Sequence, residues 1–216
     1  MIKLHGVQLS PFVRKVLLTL EYKGIPYESN GVFPGSDDAD FRAISPLGKV
    51  PVLEEDGFTI PDTSVICRYL DRTHPEKPIY PADPKLEAQA CWLEEFADSK
   101  LIEACAGLFQ QRFLFPKMMN QPTDEAKVIE ILGTVMPPLL DYLETQVPES
   151  GPLVGDSISI ADIAVITCFL QASYGDFEVD GSTHPKLRRY LDGALANDVI
   201  TNRMAEEAKI VAAMIG

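Results

Sequence analysis

Residues 48–57 read GKVPVLEEDG, and the reading of the fold turns on Pro51 within them. Val50, Val52 and Leu53 are residue types that favour a β-strand, and a glycine closes the stretch at each end. Proline has no N–H to give to a strand ladder, so it belongs at an edge, a strand start or a bulge. A strand carrying Pro51 leaves backbone groups beside it unpaired. These either blunt an edge against aggregation or receive an added peptide, and the two uses are compatible.

Working outward, Glu55-Asp56-Gly57 is a tight turn into Phe58-Thr59-Ile60, which predicts a β-hairpin. Upstream, residues 2–8 alternate well enough for a strand and run into SPFVRKVLLTLEYKG. There Val13, Val16, Leu17 and Leu20 mark one helical face, Ser10 falls at the N-cap, Pro11 at the first helical position and Gly24 at the end. IPYESNGVF reads as a second strand, and the turn-rich PGSDDADFRAISPLG has room for one short helix. Downstream, a helix from about Thr63 carries Val65, Ile66, Tyr69 and Leu70 on one face and stops at His74-Pro75. The order is β-α-β-(α)-β-β-α, an α/β domain over residues 1–75.

HPEKPIYPADP places four prolines in eleven residues, the composition of a linker, read here as residues 76–84. Beyond it the pattern over 85–216 is all-helical. Leu86, Ala90, Leu93, Ala97, Leu101, Ala104 and Leu108 step by threes and fours, predicting one long helix to about Phe115. Val128, Leu132, Val135, Leu139 and Leu143 mark a second, which Pro137-Pro138 must kink or split. In SISIAD, Ser159 and Asp162 stand three apart before an apolar run. This capping-box pattern opens a buried helix from Ile160 to about Ala172. A last helix pair begins near Pro185 and after Asn197.

The balance of 19 Lys+Arg against 32 Asp+Glu gives a formal charge of -13, which opposes binding to nucleic acid or an anionic membrane surface. No apolar run reaches the roughly 18 residues of a membrane span, and no signal-peptide pattern opens the chain, so the cytoplasm is the expected location. The cysteines Cys67, Cys91, Cys105 and Cys168 form no Cys-x-x-Cys pair and meet no His at metal-ligand spacing. They read as buried thiols, and no metal is expected.

Four stretches in order, SPFVRKV, SPLGKVPVL, DTSVICRYL and LVGDSISIADIAV, make the chain resemble the cytosolic glutathione S-transferase superfamily in its bacterial-type, serine-bearing form. The resemblance implies a thioredoxin-like N-terminal domain joined to an all-α C-terminal domain, a homodimer, and glutathione as cosubstrate in detoxification chemistry. It also implies that the Val50–Pro51 bond is cis and that Val50 pairs with the cysteinyl backbone of glutathione.

By the same resemblance Ser10 is catalytic, its hydroxyl hydrogen-bonding the glutathione thiolate at a helix N-terminus. Read locally, the residue is equally a helix cap. Asp62 and Thr63 match the pair that holds the γ-glutamyl end, though either is also an ordinary cap. Phe12 and Lys49 complete the cosubstrate set. Asp37, Asp38 and Asp40 either face the site and repel a glycyl carboxylate or serve as first-turn acids of a short helix, with Lys49 supplying the positive charge. Arg14 and Lys15 read as solvated helix-face charges. Phe109, Arg112, Phe113 and Tyr174 are the residues expected to line a pocket for a small hydrophobic electrophile, placed between the domains. Serine where relatives carry cysteine favours conjugation, isomerisation or peroxide reduction over thiol transfer. The rival reading is a non-catalytic binding protein on the same scaffold.

Overall fold

The structure is a computed structural model describing residues 1–215; Gly216, the last residue of the expected helical domain, lies outside them. The chain divides into two compact units, Met1–Tyr80 and Pro81–Gly216.

The first unit holds β1 (Ile2–His5), α1 (Pro11–Lys23), β2 (Tyr27–Asn30), α2 (Ala39–Ile44), β3 (Val52–Glu55), β4 (Phe58–Ile60) and α3 (Thr63–Thr73). The sheet order is β2-β1-β3-β4, with β1 parallel to β2 and antiparallel to β3, and β3 antiparallel to β4. The expected mixed α/β unit is therefore present. The hairpin turn places Asp56 and Gly57 at φ 50° and 83°, two left-handed residues whose twist matches that of the flanking strands. Pro51 lies one residue before β3, so its missing N–H removes nothing from the ladder; the strand expected across it begins at Val52 instead.

Helix α1 buries Val13, Val16, Leu17 and Leu20, but it is enclosed on its other sides too. Arg14 and Lys15 are 0% and 1% exposed, which corrects their reading as solvated charges. Lys15 instead points its ammonium at the Ser64 hydroxyl, 3.4 Å away. In α3 the buried stripe is Thr63, Ile66, Cys67 and Leu70, and Val65, expected on that face, is 55% exposed. The segment to Tyr80 is held on this unit by Asp71, whose carboxylate accepts from the Lys23 ammonium (2.9 Å) and the Ile79 N–H (2.8 Å).

The second unit is helical, as expected. It comprises α4 (Pro84–Phe96), α5 (Ile102–Phe109), α6 (Glu125–Glu130), α7 (Met136–Gln146), α8 (Ile160–Ser173), α9 (Pro185–Leu195) and α10 (Asp198–Ile215). The single helix expected to reach about Phe115 starts at Pro84 and continues to Met118, interrupted by π-helical stretches at Ala97–Leu101 and Gln110–Met118. The first lies where the apolar pattern takes two successive steps of four, Leu93 to Ala97 to Leu101, as a wider turn requires. A third π stretch, Ile131–Val135, precedes Pro137-Pro138, which bring no backbone N–H to the ladder, and the second pattern is split there into α6 and α7.

Helix α8 is buried at every residue from Ile160 to Ala172. Asp162 starts it, accepting from the Ser159 N–H and hydroxyl, the Leu153 N–H and the Tyr190 hydroxyl, each at 2.8 Å. Burial, then the Asp162 carboxylate, push the Tyr190 phenol well above its usual range, which keeps it a hydrogen-bond donor. No helix of the described residues is long and apolar enough to cross a membrane.

Candidate active site

Sheet register brings three loops to one end of the first unit. The pairing of His5 with Val52 sets the end of β1 beside the start of β3, and the pairing of Leu53 with Ile60 sets the end of β4 there as well. The turn holding Ser10, the Val50–Pro51 bond and the start of α3 at Asp62-Thr63 all issue from that end.

Ser10 is the N-cap residue of α1 in extended backbone (φ -68°, ψ 128°), with Pro11 following, yet its side chain makes no capping hydrogen bond. The hydroxyl thus stands at a helix N-terminus, where the macrodipole favours negative charge, without being spent on the helix.

The Val50–Pro51 bond is cis. Among the described residues none hydrogen-bonds to the Val50 N–H or C=O. Gly6 is why Val50 can approach α1: a Cβ on it would stand 2.5 Å from Val13 Cγ2 and 3.1 Å from Val50 Cβ. With φ at 150°, only glycine fits there. Gly6 went unremarked in the sequence, although a glycine between a strand and a Ser-Pro helix start is a visible signal of close backbone approach.

The acidic run is largely committed to α2. Asp38 is its N-cap, accepting from the Phe41 N–H at 3.0 Å, and Asp40 lies in its first turn. Asp37 pairs with Arg42 at 3.7 Å. Arg42 also donates from Nε to the Ser36 carbonyl (2.8 Å), and its guanidinium lies over Gly48. This cation was missed by the sequence reading, which considered Lys49 alone; Lys49 is exposed.

Asp62 caps α3, its carboxylate accepting from the Val65 N–H at 3.0 Å, and retains a second oxygen. Thr63 is buried at the first turn, beside the Ser64 that receives Lys15. Phe12 is half-buried on the first turn of α1.

The sequence compares directly with known proteins. A family model described as glutathione S-transferase, N-terminal domain, matches residues 4–78, and one described as glutathione S-transferase, C-terminal domain, matches residues 128–193. Over 185 residues the chain is 31% identical to glutathione S-transferase 4 of Zea mays, covering 80% of this chain and 79% of that protein. The chain belongs to the glutathione S-transferase family.

A chloroplastic glutathione S-transferase of Arabidopsis thaliana is 29% identical to it over 208 residues, spanning 94% of this chain and 71% of that one. Among solved structures, a glutathione S-transferase from Rhodospirillum rubrum superposes with a TM-score of 0.80 at 26% identity, covering 93% of this chain and 90% of that one. Glutathione transferase is the general activity of this family member.

Within the helical unit of this glutathione S-transferase family member, the sequence-predicted pocket residues gather, mostly as packing. Phe109 and Phe113 stack at 5.2 Å between ring centres, and Tyr174 meets Phe109 edge-on and tilts against Phe113, but the two phenylalanines are buried. Arg112 donates to the Gly175 carbonyl at 3.2 Å, bracing the end of α8. Tyr174 alone of the four lines a described cavity, of about 330 Å³, with Leu170, Met204, Glu207 and Val211 between α8 and α10. Its hydroxyl donates to the Glu207 carboxylate at 3.0 Å.

Cys67, Cys105 and Cys168 are buried as expected, whereas Cys91 is half-buried. Burial pushes the Cys105 thiol far above its ordinary range, so it stays protonated and inert.

Proposed function

We propose that this chain activates glutathione for attack on a small apolar electrophile, with Ser10 donating its hydroxyl proton in a hydrogen bond to the thiolate. The observation that carries this reading is the Ser10 hydroxyl, set at the α1 N-terminus and making no cap bond. The free Val50 N–H and C=O pair with the cysteinyl backbone, Asp62 meets the γ-glutamyl ammonium, and Thr63 with the first N–H groups of α3 meets its carboxylate. Lys49 and Arg42 supply positive charge for the glycyl end, and Phe12 lies beside it all on α1. The thiolate sulfur then bonds to the electrophilic carbon as the leaving group departs with its electron pair. Conjugation is favoured over thiol transfer because serine stands at position 10 and Cys105 is inert. Against the rival reading of a non-catalytic binding protein, this proposal rests on the capping role of Asp38, which turns one carboxylate of the acidic run towards the α2 backbone.

Calorimetric titration with glutathione, followed by its conjugation to 1-chloro-2,4-dinitrobenzene, tests the reading; no heat at millimolar glutathione overturns it. Asp62→Asn separates the two roles of that residue. Asparagine caps a helix as well as aspartate does, so thermal stability is expected to stay near wild type. The lost charge on the ligand ammonium is expected to weaken glutathione binding about tenfold. Unchanged affinity would leave Asp62 as a cap and nothing more.

A homodimer is part of the proposal, supported by exposed apolar side chains in each unit, Phe58 and Val65 in the first and Trp92 in the second, the last donating to the Tyr142 hydroxyl beside Phe96. Sedimentation equilibrium is expected to return twice the chain mass of 23.8 kDa. The monomer mass alone would remove the dimer from the reading.

A further inference from the structure

The loop that carries Val50 is tied together by one buried side chain. Ser45 is 1% exposed, and its hydroxyl donates to the Lys49 carbonyl at 2.7 Å. Its own N–H donates to the Phe41 carbonyl at the end of α2 and its carbonyl accepts from the Gly48 N–H, both at 2.8 Å. The Gly48 carbonyl in turn accepts from the Gly35 N–H at 2.8 Å. Ser45 is therefore anchored at both backbone ends before its side chain reaches Lys49.

The Lys49 carbonyl and the Val50 N–H belong to the same peptide unit. The cis bond of this loop is the next one, Val50–Pro51, so the Lys49–Val50 unit is trans and planar, its C=O and N–H pointing in opposite directions. Whatever holds the carbonyl also aims the N–H. A hydrogen bond accepted by the carbonyl polarises the amide and makes its N–H a stronger donor as well.

We propose that Ser45 is a positioning residue for glutathione: it sets the orientation and donor strength of the Val50 N–H that receives the tripeptide backbone. This rests on the glutathione-activating reading above. Ser45 does not touch the reacting sulfur, so its contribution goes into binding and leaves thiol ionisation to Ser10. It predicts a split between steady-state parameters that a general loss of folding does not produce.

The test compares the wild-type chain with Ser45→Ala and with Ser45→Thr, which keeps the hydroxyl, using glutathione and 1-chloro-2,4-dinitrobenzene. Ser45→Ala is expected to raise the calorimetric Kd and the KM for glutathione about 5- to 10-fold, the effect of one lost hydrogen bond. Its kcat is expected to stay within about twofold, and the pH profile of kcat to keep its midpoint. Ser45→Thr is expected to restore most of the affinity. If the wild-type chain binds glutathione and Ser45→Ala binds it equally well, the positioning role is overturned and the functional reading stands. A fall in kcat without a change in KM, or a shifted pH midpoint, also overturns it. If the wild-type chain does not bind glutathione, the functional reading fails, and this inference with it.

Discussion

Ser10→Ala is expected to lower the conjugation rate at pH 6.5 by about 10- to 100-fold while leaving the protein as stable as the wild type. A free thiol titrates near ~8.5, and a hydrogen bond to a charged acceptor, at about 1.5–3 kcal/mol, lowers that by one to two units. Below the lowered pKa the ratio of thiolate in wild type and variant equals the full shift. It closes as pH rises through about 8.5, where the unassisted thiol also ionises. The defect is therefore largest in mild acid and fades in alkali, and a pH profile of kcat reads the shift directly. Stability is expected to change little because the Ser10 side chain makes no cap bond to lose; a working cap would cost about 1 kcal/mol on removal. A variant with the wild-type pH profile would take Ser10 out of the chemistry. One that instead melts several degrees lower would return it to the helix.

Asp162→Ala is expected to be the most destabilising single substitution considered, by at least about 4 kcal/mol. The carboxylate is 2% exposed and accepts four hydrogen bonds at 2.8 Å, joining the start of α8 to Leu153 and to Tyr190 on α9. Alanine leaves those donors buried without an acceptor, at about 1–3 kcal/mol for each that water cannot reach. For a chain of this size the melting temperature is expected to fall by roughly 8–16 °C. Asp162→Asn keeps one acceptor oxygen but turns an N–H₂ towards the donors, so an intermediate loss is expected. Differential scanning calorimetry checks both, and a melting temperature within 2–3 °C of wild type for Asp162→Ala would overturn the account, by the same scaling.

These two residues were both legible before the fold was known, for one reason: their signals are local. Ser10 precedes a proline at a helix start, and Asp162 stands three residues after a serine and before an apolar run. The Glu55-Asp56-Gly57 turn and the break before Pro137-Pro138 were readable for the same reason, since both follow from backbone chemistry over a few residues. The site residues named from the family resemblance came from matched motifs, and the structure places Ser10, Val50, Pro51 and Asp62 on loops, and Thr63 at the start of α3, at one end of the sheet.

Other features depended on what lies across the chain. Arg14 and Lys15 sit off the apolar stripe of α1, and periodicity reveals one buried face without saying whether the others are covered. Val65 fits the stripe of α3 by residue type, but a small rotation of the helix buries Thr63 and Cys67 instead. Phe109 and Phe113 could line a pocket or fill a core by residue type, and only the structure shows them buried and stacked on each other.

By itself, the sequence determined the order of the elements, their caps and breaks, and the family, because each of these rests on short-range chemistry or on matched motifs. The tertiary structure alone decided that Pro51 precedes its strand instead of interrupting it. It also decided that Gly6 lets Val50 approach Val13 and that Ser45 holds the peptide unit carrying the Val50 N–H. Those three depend on strand register and on where loops close, which are set by pairing between residues far apart in the chain.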